Sequence, residues 1–205
     1  KAEGLGRLPV PSIPRKVTKQ FKEYDLGFVH MDIKHLPKLH VIGSGPRKRY
    51  LYVAIDRASR MVHLAVKDEE TEACATAFLR EAVAAFPFKV THVLTDRGSC
   101  FTADGFEAAC RKLGIDHRKT KPYTPQTNGM VERFNGRIED VLQSHRFHSG
   151  EDLEQTILRY VHLYNTQLPQ SALNARTPIG ALKDWQRHRP ELFRKRVYNL
   201  AGYDT

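Results

Sequence analysis

The spacing of apolar residues along the chain predicts an alternation of short strands and longer helices. Apolar runs at residues 28–36, 50–55, 61–66 and 90–95, with a shorter one at 115–119, are typical of β-strands. Apolar residues recur at helical spacing over 71–85, 106–113, 125–145 and 152–165, and a last short helix is predicted at 178–186. Three strands followed by helix, strand, helix, strand and helix predict a mixed α/β sheet flanked by helices.

The two ends of the chain differ from the middle in composition. Residues 1–20 are rich in proline and basic residues, and we interpret them as an extended arm or linker. Residues 21–182 are predicted to form the folded core, and residues 183–205 a basic C-terminal extension. Between the first and second apolar runs, the segment 43–49 is expected to form a turn.

The charge of the chain favours a polyanionic partner. The formal net charge is +10 and the pI is near 9.6. Lysines and arginines that displace counterions from DNA phosphates supply affinity that does not depend on base sequence. The alternative explanation is that the net charge only keeps the protein in solution.

Two further features limit the class of protein. No apolar run approaches the ~20 residues of a membrane-spanning helix, and we expect no membrane association. The three cysteines, Cys74, Cys100 and Cys110, form no Cys-x-x-Cys pair, so neither a zinc site nor a disulfide framework is predicted. A reducing, cytoplasmic setting is expected, with nucleoid association if the host is a bacterium.

Three acidic residues occupy positions suited to metal binding. Asp32 and Asp96 each end an apolar run, and Glu132 lies where a helix is predicted to open, with thirty-five residues between Asp96 and Glu132. Two strand-end aspartates and a helical glutamate can meet at one edge of a sheet, and carboxylate oxygens are the ligands that Mg²⁺ prefers. Taken singly, each has a simpler explanation, as a turn or capping residue or as a solvated helix residue. Asp56 is interpreted as part of a hairpin turn, and Asp25 and Asp104 as structural.

Four sequence blocks around these residues resemble a known family. They are HMDIK around Asp32, LTDRGS around Asp96, PYTPQTNGMVERFNG around Glu132, and YNTQLPQSALNARTP from Tyr164. Their order and spacing resemble the integrase core of DDE transposases and retroviral-type integrases, most closely bacterial insertion-sequence transposases. The resemblance covers residues 21–182. It implies an RNase H-like mixed five-stranded sheet flanked by helices. The order of the elements alone would fit other α/β folds, and the placement of the three acidic residues favours this one.

The resemblance implies metal-dependent cleavage and joining of DNA strands. Two Mg²⁺ ions, for which Mn²⁺ is expected to substitute, would be held by Asp32 between them and by Asp96 and Glu132 on either side. The partners would be the DNA ends of a mobile element and a target DNA. Two active sites acting on two ends imply a homo-oligomer, at least a dimer on DNA. No covalent enzyme–DNA intermediate is implied, so no serine or tyrosine nucleophile is needed.

Several residues near the acidic triad are candidates for contacts with DNA. They are Lys119, Lys121, Arg97, Gln126, Asn128, Arg133 and Arg137. Structural roles explain the presence of these residues almost as well as DNA contacts do. The lysines fit an exposed basic loop, Arg97 fits a tight turn after Asp96, and Asn128 fits a helix cap. His30, His92 and His117 alternate with apolar residues, which favours packing over metal binding.

Two other functions remain open from the sequence. One is an RNase H-like nuclease that cleaves without joining, and the other is a non-catalytic DNA-binding protein derived from a transposase. Family members usually carry an upstream helix-turn-helix module, and none is recognisable in this sequence. We therefore expect the chain to be a fragment of a longer protein, or a decayed or domesticated derivative.

Overall fold

The structure, a computed structural model, describes residues 24–41, 44–120 and 129–198. Within these ranges the strands are β1 (Phe28–His35), β2 (Leu39–Val41), β3 (Ser44–Arg47), β4 (Tyr50–Asp56), β5 (Val62–Lys67), β6 (His92–Thr95) and β7 (Asp116–Lys119). The helices are α1 (Glu72–Ala85), α2 (Ser99–Thr102), α3 (Asp104–Lys112), α4 (Gly129–Ser144), α5 (Gly150–Thr166) and α6 (Pro178–His188). The predicted strands and helices occur in the predicted order, and β2, β3 and α2 are additional elements that the apolar pattern did not predict.

Five of the strands form one mixed sheet with β1 at its centre. The order across the sheet is β5-β4-β1-β6-β7. β4 pairs with β1 and with β5 in antiparallel fashion, whereas β6 lies parallel to β1 and β7 lies parallel to β6. The parallel strands need crossover connections, and the segments containing α1 and then α2 and α3 provide them. The predicted mixed five-stranded sheet flanked by helices is confirmed.

Helices cover both faces of the sheet, and side-chain alternation along the strands divides the apolar residues between two cores. In β4, Tyr52 and Ala54 lie in a first core with α1 and α3, while Leu51, Val53 and Ile55 lie in a second core with α4 and α5. This is the expected result of a period of two in a strand that is buried on both sides. None of the helices in the described ranges is long and apolar enough to cross a membrane.

The turn between β4 and β5 is organised by a fully buried aspartate. Asp56 accepts hydrogen bonds from the Gly27 amide at 3.0 Å and from both the amide and the hydroxyl of Ser59 at 2.7 Å. Burial raises the pKa of the Asp56 carboxyl, and these hydrogen bonds oppose the rise. The interpretation of Asp56 as a hairpin-turn residue is confirmed.

The structure also differs from the sequence-based expectation at two other places. Residues 44–47 form the strand β3, which pairs with β2 in antiparallel fashion, where a turn was expected. The helix α6 continues to His188, so the predicted end of the core at residue 182 falls inside a helix. Beyond that point Trp185 and Phe193 pack against the first core, and Phe193 lies edge-on to Phe88 at 6.4 Å.

We expect a chain that ends at residue 182 to be less stable than one that ends at residue 198. The shorter chain loses the packing of Trp185, Leu192, Phe193 and Val197 against the first core. Since burying one large apolar side chain contributes about 1.5–3 kcal/mol, the free energy of unfolding should fall by about 3 kcal/mol or more. Urea denaturation followed by circular dichroism measures the difference, and equal midpoints for the two chains would contradict the prediction.

Candidate active site

The three predicted carboxylates lie where the central strands meet α4. Asp32 lies within β1, Asp96 directly follows β6, and Glu132 is in the first turn of α4. β1 and β6 pair with a constant offset of 64 residues, with Phe28 beside His92 and His30 beside Leu94. Continuing this register by two residues brings Asp32 beside Asp96.

The face of the sheet on which Asp32 lies follows from its neighbours in β1. Val29 and Met31 belong to the first core, so alternation directs Asp32 to the opposite face, which α4 covers. There the side-chain amide of Asn135 donates a hydrogen bond of 2.8 Å to Oδ2 of Asp32. Asn135 follows Glu132 by three residues, which places both on the same side of α4.

A second contact fixes the direction of α4 along β1. Two residues after Asp32, the ammonium group of Lys34 lies 2.8 Å from the carboxylate of Glu139. Glu139 follows Asn135 by about one helical turn, so the helix and the strand run side by side in the same direction. As a result the first turn of α4 carries Glu132 towards the two aspartates.

The Asp32 carboxyl has a pKa raised from its usual 3.8 to about 6. Partial burial is the largest cause, and the negative charges of Asp96 and Glu132 raise the pKa further. Hydrogen bonds from Asn135 and from the Ile33 amide act in the opposite direction. The three carboxylates are therefore close enough to repel one another, which is the electrostatic condition that favours a bound cation.

A tight turn holds Asp96 at the end of β6. The Gly98 amide donates a hydrogen bond of 2.9 Å to Oδ1 of Asp96, and a β-carbon at position 98 would lie 3.0 Å from the same oxygen. Arg97 donates from Nε to the carbonyl oxygen of Thr120 at 3.1 Å, which ties this turn to the end of β7. The turn thus orients the Asp96 carboxylate and leaves little room for a larger residue at position 98.

Polar side chains under the same turn support its backbone. The Thr95 hydroxyl donates to the carbonyl oxygen of Asp96 at 2.9 Å and lies 2.8 Å from Nε2 of His117. Burial lowers the pKa of His117, and Glu107 beside it acts in the opposite direction. His117 is packed between β7 and α3, in agreement with its interpretation as a packed residue. His30 is likewise buried, and His92 stacks on Phe28.

The predicted DNA contacts fall into two groups in the described structure. Arg97 and Lys119 flank the Asp96 edge, where Lys119 forms an ion pair of 2.7 Å with Glu107. Arg133 and Arg137 are exposed on α4, and the Arg137 guanidinium lies over the Tyr164 ring at 5.6 Å. Three further predicted contacts, Lys121, Gln126 and Asn128, lie outside the described residues.

The donors of this site suit a hard divalent cation in type. In the described ranges no three side chains of His, Cys, Asp or Glu approach closely enough to form a metal-binding group as they stand. The three converging side chains nevertheless offer only carboxylate oxygens, which Mg²⁺ and Mn²⁺ prefer. Asp96 is held by Gly98 and Asp32 by Asn135, whereas Glu132 is exposed at the start of its helix.

Two sequence models described as "Integrase core domain" match this chain, one over residues 26–125 and the other over residues 113–178. Together they span the strands and helices that carry the three carboxylates. The chain belongs to the integrase core domain family.

Curated relatives of this integrase core domain are retroviral polyproteins. The Gag-Pol polyprotein of bovine immunodeficiency virus (strain R29) is 31% identical over 119 residues, 52% of this chain and 8% of that protein. The Gag-Pro-Pol polyprotein of human T-cell leukemia virus 2 is 29% identical over 142 residues, 69% of this chain and 9% of that protein. The chain thus spans less than a tenth of the length of these two relatives.

Solved structures share the fold of this integrase core domain. The HTLV-2 integrase catalytic core domain in complex with magnesium (dimeric form) superposes with a TM-score of 0.60 at 22% identity, over 75% of this chain and 94% of that one. The catalytic core domain of BIV integrase superposes with a TM-score of 0.60 at 24% identity, over 80% of this chain and 99% of that one. The predicted RNase H-like fold is confirmed.

The integrase core domain contains one residue at the site that the sequence argument missed. Asn135 contacts Asp32 directly, while its own Oδ1 is buried without a hydrogen-bond partner in the described part of the chain. The available signal was helical periodicity, since a residue three positions after Glu132 lies on the same side of a helix. Residue type alone does not distinguish this asparagine from the other polar residues near the carboxylates.

We expect Asp32→Asn to stabilise the protein at neutral pH when divalent cations are removed with a chelator. The folded state holds the Asp32 proton up to a pKa of about 6, against 3.8 ordinarily. The protonated Asp32 side chain is therefore tolerated at full stability of the fold below pH ~4. The free energy of unfolding falls as the pH rises towards ~6, because the carboxylate then ionises in its partly buried position. The variant should be more stable than the natural protein by about 1–3 kcal/mol at pH 8 and no more stable at pH 4.

Thermal denaturation at a series of pH values measures this difference. Asp140→Asn is the matched control, because Asp140 is exposed on the same helix as Glu132 and contributes to neither the site nor its hydrogen bonds. If the thermal midpoints of Asp32→Asn and of the natural protein change in parallel between pH 4 and pH 8, ionisation of Asp32 does not destabilise the fold and the prediction is wrong.

Proposed function

We propose that this integrase core domain catalyses metal-dependent DNA strand cleavage and strand transfer, as a DDE-type transposase or integrase. The family implies polynucleotidyl transfer in general terms. The observation that carries the finer proposal is the β1–β6 register, which brings Asp32 beside Asp96 while α4 runs along β1 with Glu132 in its first turn. Three carboxylates at one sheet edge form the donor set that this chemistry needs.

The proposed cofactor is Mg²⁺, as two ions, with Mn²⁺ able to substitute. Asp32 would contribute oxygens to both ions, and Asp96 and Glu132 mainly to one each. When bound, the ions supply positive charge that activates the attacking oxygen and stabilises the leaving 3′-oxygen. Support comes from the repulsion among the carboxylates and from the HTLV-2 integrase core of the same fold, which was solved with magnesium.

The residues of the chain itself would position the reactants. Asn135 and the Gly98 amide orient the two aspartates through hydrogen bonds, and the exposed Glu132 faces the side from which DNA must approach. The attacking group would be water in the cleavage step and a DNA 3′-hydroxyl in the joining step. A direct displacement of this kind uses no covalent enzyme intermediate.

The proposed partner is DNA, bound by a protein of net charge +10. Arg97 and Lys119 beside Asp96 are proposed to contact phosphates near the reacting bond, as are Lys121, Gln126 and Asn128. We also propose that two or more copies act together on DNA. The HTLV-2 core was solved in dimeric and trimeric forms, and a simian T-cell lymphotropic virus intasome shares the fold at a TM-score of 0.62 and 23% identity, over 87% of this chain and 60% of that one.

A branched oligonucleotide that mimics a strand-transfer product tests the proposal. The purified chain with Mg²⁺ or Mn²⁺ should split the branch and reseal the target strand, and a chelator should abolish both steps. Glu132→Gln should reduce activity to background because it removes one anionic ligand while keeping the size of the side chain. Asp140→Asn on the same helix is the matched control, since Asp140 is exposed and contributes to neither the three carboxylates nor their hydrogen bonds.

The products of the reaction distinguish this function from its rivals. Cleavage without resealing would indicate a nuclease that does not join DNA. Tight DNA binding with no activity in the natural protein, unchanged by Glu132→Gln, would indicate a non-catalytic DNA-binding protein.

We expect Asn135→Ala to lower the apparent affinity of the enzyme for Mg²⁺ in the same reaction without unfolding the protein. Removing the hydrogen bond to Asp32 frees that carboxylate to turn away, and loss of a residue that orients a metal ligand costs about 10–100-fold in metal affinity or activity. The measurement is the Mg²⁺ concentration that gives half-maximal activity, which should rise. Asn135→Asp should not rescue the reaction, because it replaces the amide donor with a fourth carboxylate.

A further inference from the structure

A basic recess lies on the side of α4 that neighbours the one facing the paired aspartates. A recess of about 70 Å³ is bounded by Arg60, Arg133, Arg137 and Tyr164. It adjoins a larger recess of about 650 Å³, with Arg60 and Ala172 common to both. We call the smaller recess the arginine recess. Arg60 comes from the β4–β5 turn and the other two arginines from α4, so tertiary structure alone brings them together.

The arginine recess contains more positive than negative charge. In the larger recess Arg176 pairs with Asp184, and Arg189 pairs with Glu191. Within the described residues, by contrast, no carboxylate lies within ion-pair distance of Arg60, Arg133 or Arg137. Three guanidinium groups in a small volume suit a compact anion.

Arg60 is the least well satisfied of the three. Its Nε is buried and has no hydrogen-bond partner in the described part of the chain, and one terminal nitrogen contacts the sulfur of Met130, a weak acceptor. Burial lowers the pKa of this guanidinium, the Tyr164 hydroxyl opposes the shift, and Arg133 adds to it. An anion in the recess would supply both the missing acceptor and the missing charge.

The backbone of Arg60 provides an independent observation. Its φ is +61°, in the left-handed region that glycine adopts most easily. A bulky residue in this conformation lowers the stability of the fold by about 1 kcal/mol or more, and backbone strain of this kind is concentrated at functional sites. The turn itself is held by Asp56 and Ser59, so an arginine at position 60 is not needed to form it.

We propose that the arginine recess is a phosphate-binding site that holds a backbone phosphate of the DNA strand flanking the reacting bond, with Arg60 as its central ligand. Guanidinium groups bind phosphate oxygens in pairs, which gives orientation as well as affinity. The recess and the carboxylates lie on neighbouring sides of the first turns of α4, since Arg133 directly follows Glu132. A strand crossing this helix reaches both, so the site sets the position of DNA over the carboxylates.

This inference rests on the proposed function for the identity of the ligand, and its test is independent of catalysis. Binding of a fluorescent duplex oligonucleotide is measured in a chelator, at several salt concentrations, by anisotropy. Arg60→Gly should weaken binding by about 10-fold or more at ~0.1 M salt and lower the slope of log affinity against log salt by about 0.9, as expected for one lost phosphate contact. The thermal midpoint of this variant should not fall, because glycine relieves the backbone and removes a poorly satisfied charge.

Two other variants separate the site from general charge effects. Arg111→Ala removes an exposed arginine of α3 distant from the recess, and it should leave affinity and salt slope unchanged. Ala172→Glu introduces a carboxylate at the shared wall of the two recesses without removing an arginine, and it should weaken DNA binding as Arg60→Gly does.

Inorganic phosphate distinguishes the possible sources of the anion. Millimolar phosphate should raise the thermal midpoint of the natural protein more than that of Arg60→Gly. If phosphate stabilises the natural protein selectively while DNA affinity is equal in both, the site binds a free anion and its assignment to DNA is overturned. If neither measurement distinguishes Arg60→Gly from Arg111→Ala, the site itself is overturned, whatever the branched-substrate reaction shows.

Discussion

The parallel pairing of β1 with β6 is the constraint on which the rest of this integrase core domain depends. β1 lies in the centre of the sheet, with Val29 and Met31 each only 1% exposed in the first core. A shift of one residue would turn these side chains to the other face, so the register is strongly fixed by burial. That register brings Asp32 and Asp96 side by side, although each is an unfavourable neighbour for the other.

The helix α4 converts this pairing into a site with three carboxylates. Val131, Phe134 and Ile138 fasten the helix to the second core, and this apolar stripe determines which of its polar residues face the strands. Glu132 and Asn135 face β1, whereas Arg133 and Arg137 border the arginine recess. One helix therefore separates a negative site from a positive one, an arrangement that lets a polyanion approach a cluster of carboxylates.

Buried polar groups hold the site in place at some cost to the fold. Asp56 fixes the turn that carries Arg60, and the Thr95 hydroxyl supports the peptide that follows β6. Such groups are tolerated because hydrogen bonds replace their lost hydration. Arg60 and Asp32 are two exceptions, since burial opposes the charge of each and their described surroundings only partly compensate. Both exceptions border the surface at which DNA is proposed to bind.

The sequence by itself determined the order and type of the secondary elements and the three acidic candidates. Local periodicity and turn residues suffice for the elements, and the four motif blocks direct attention to Asp32, Asp96 and Glu132. The strand β3 and the continuation of the packed core beyond residue 182 were missed, because backbone pairing of β3 with β2 and tertiary packing of Trp185 are not encoded in local signals there.

Only the tertiary structure decided which distant residues meet. Asn135 reaches Asp32 across 103 positions of sequence, and Arg60 joins Arg133 and Arg137 from a turn far from α4 in the chain. No local pattern encodes these contacts, because they arise from the strand register and from the rotation at which α4 packs on the sheet. The three acidic candidates could be named from residue types and motifs, whereas their orientation and the basic recess beside them follow from that packing.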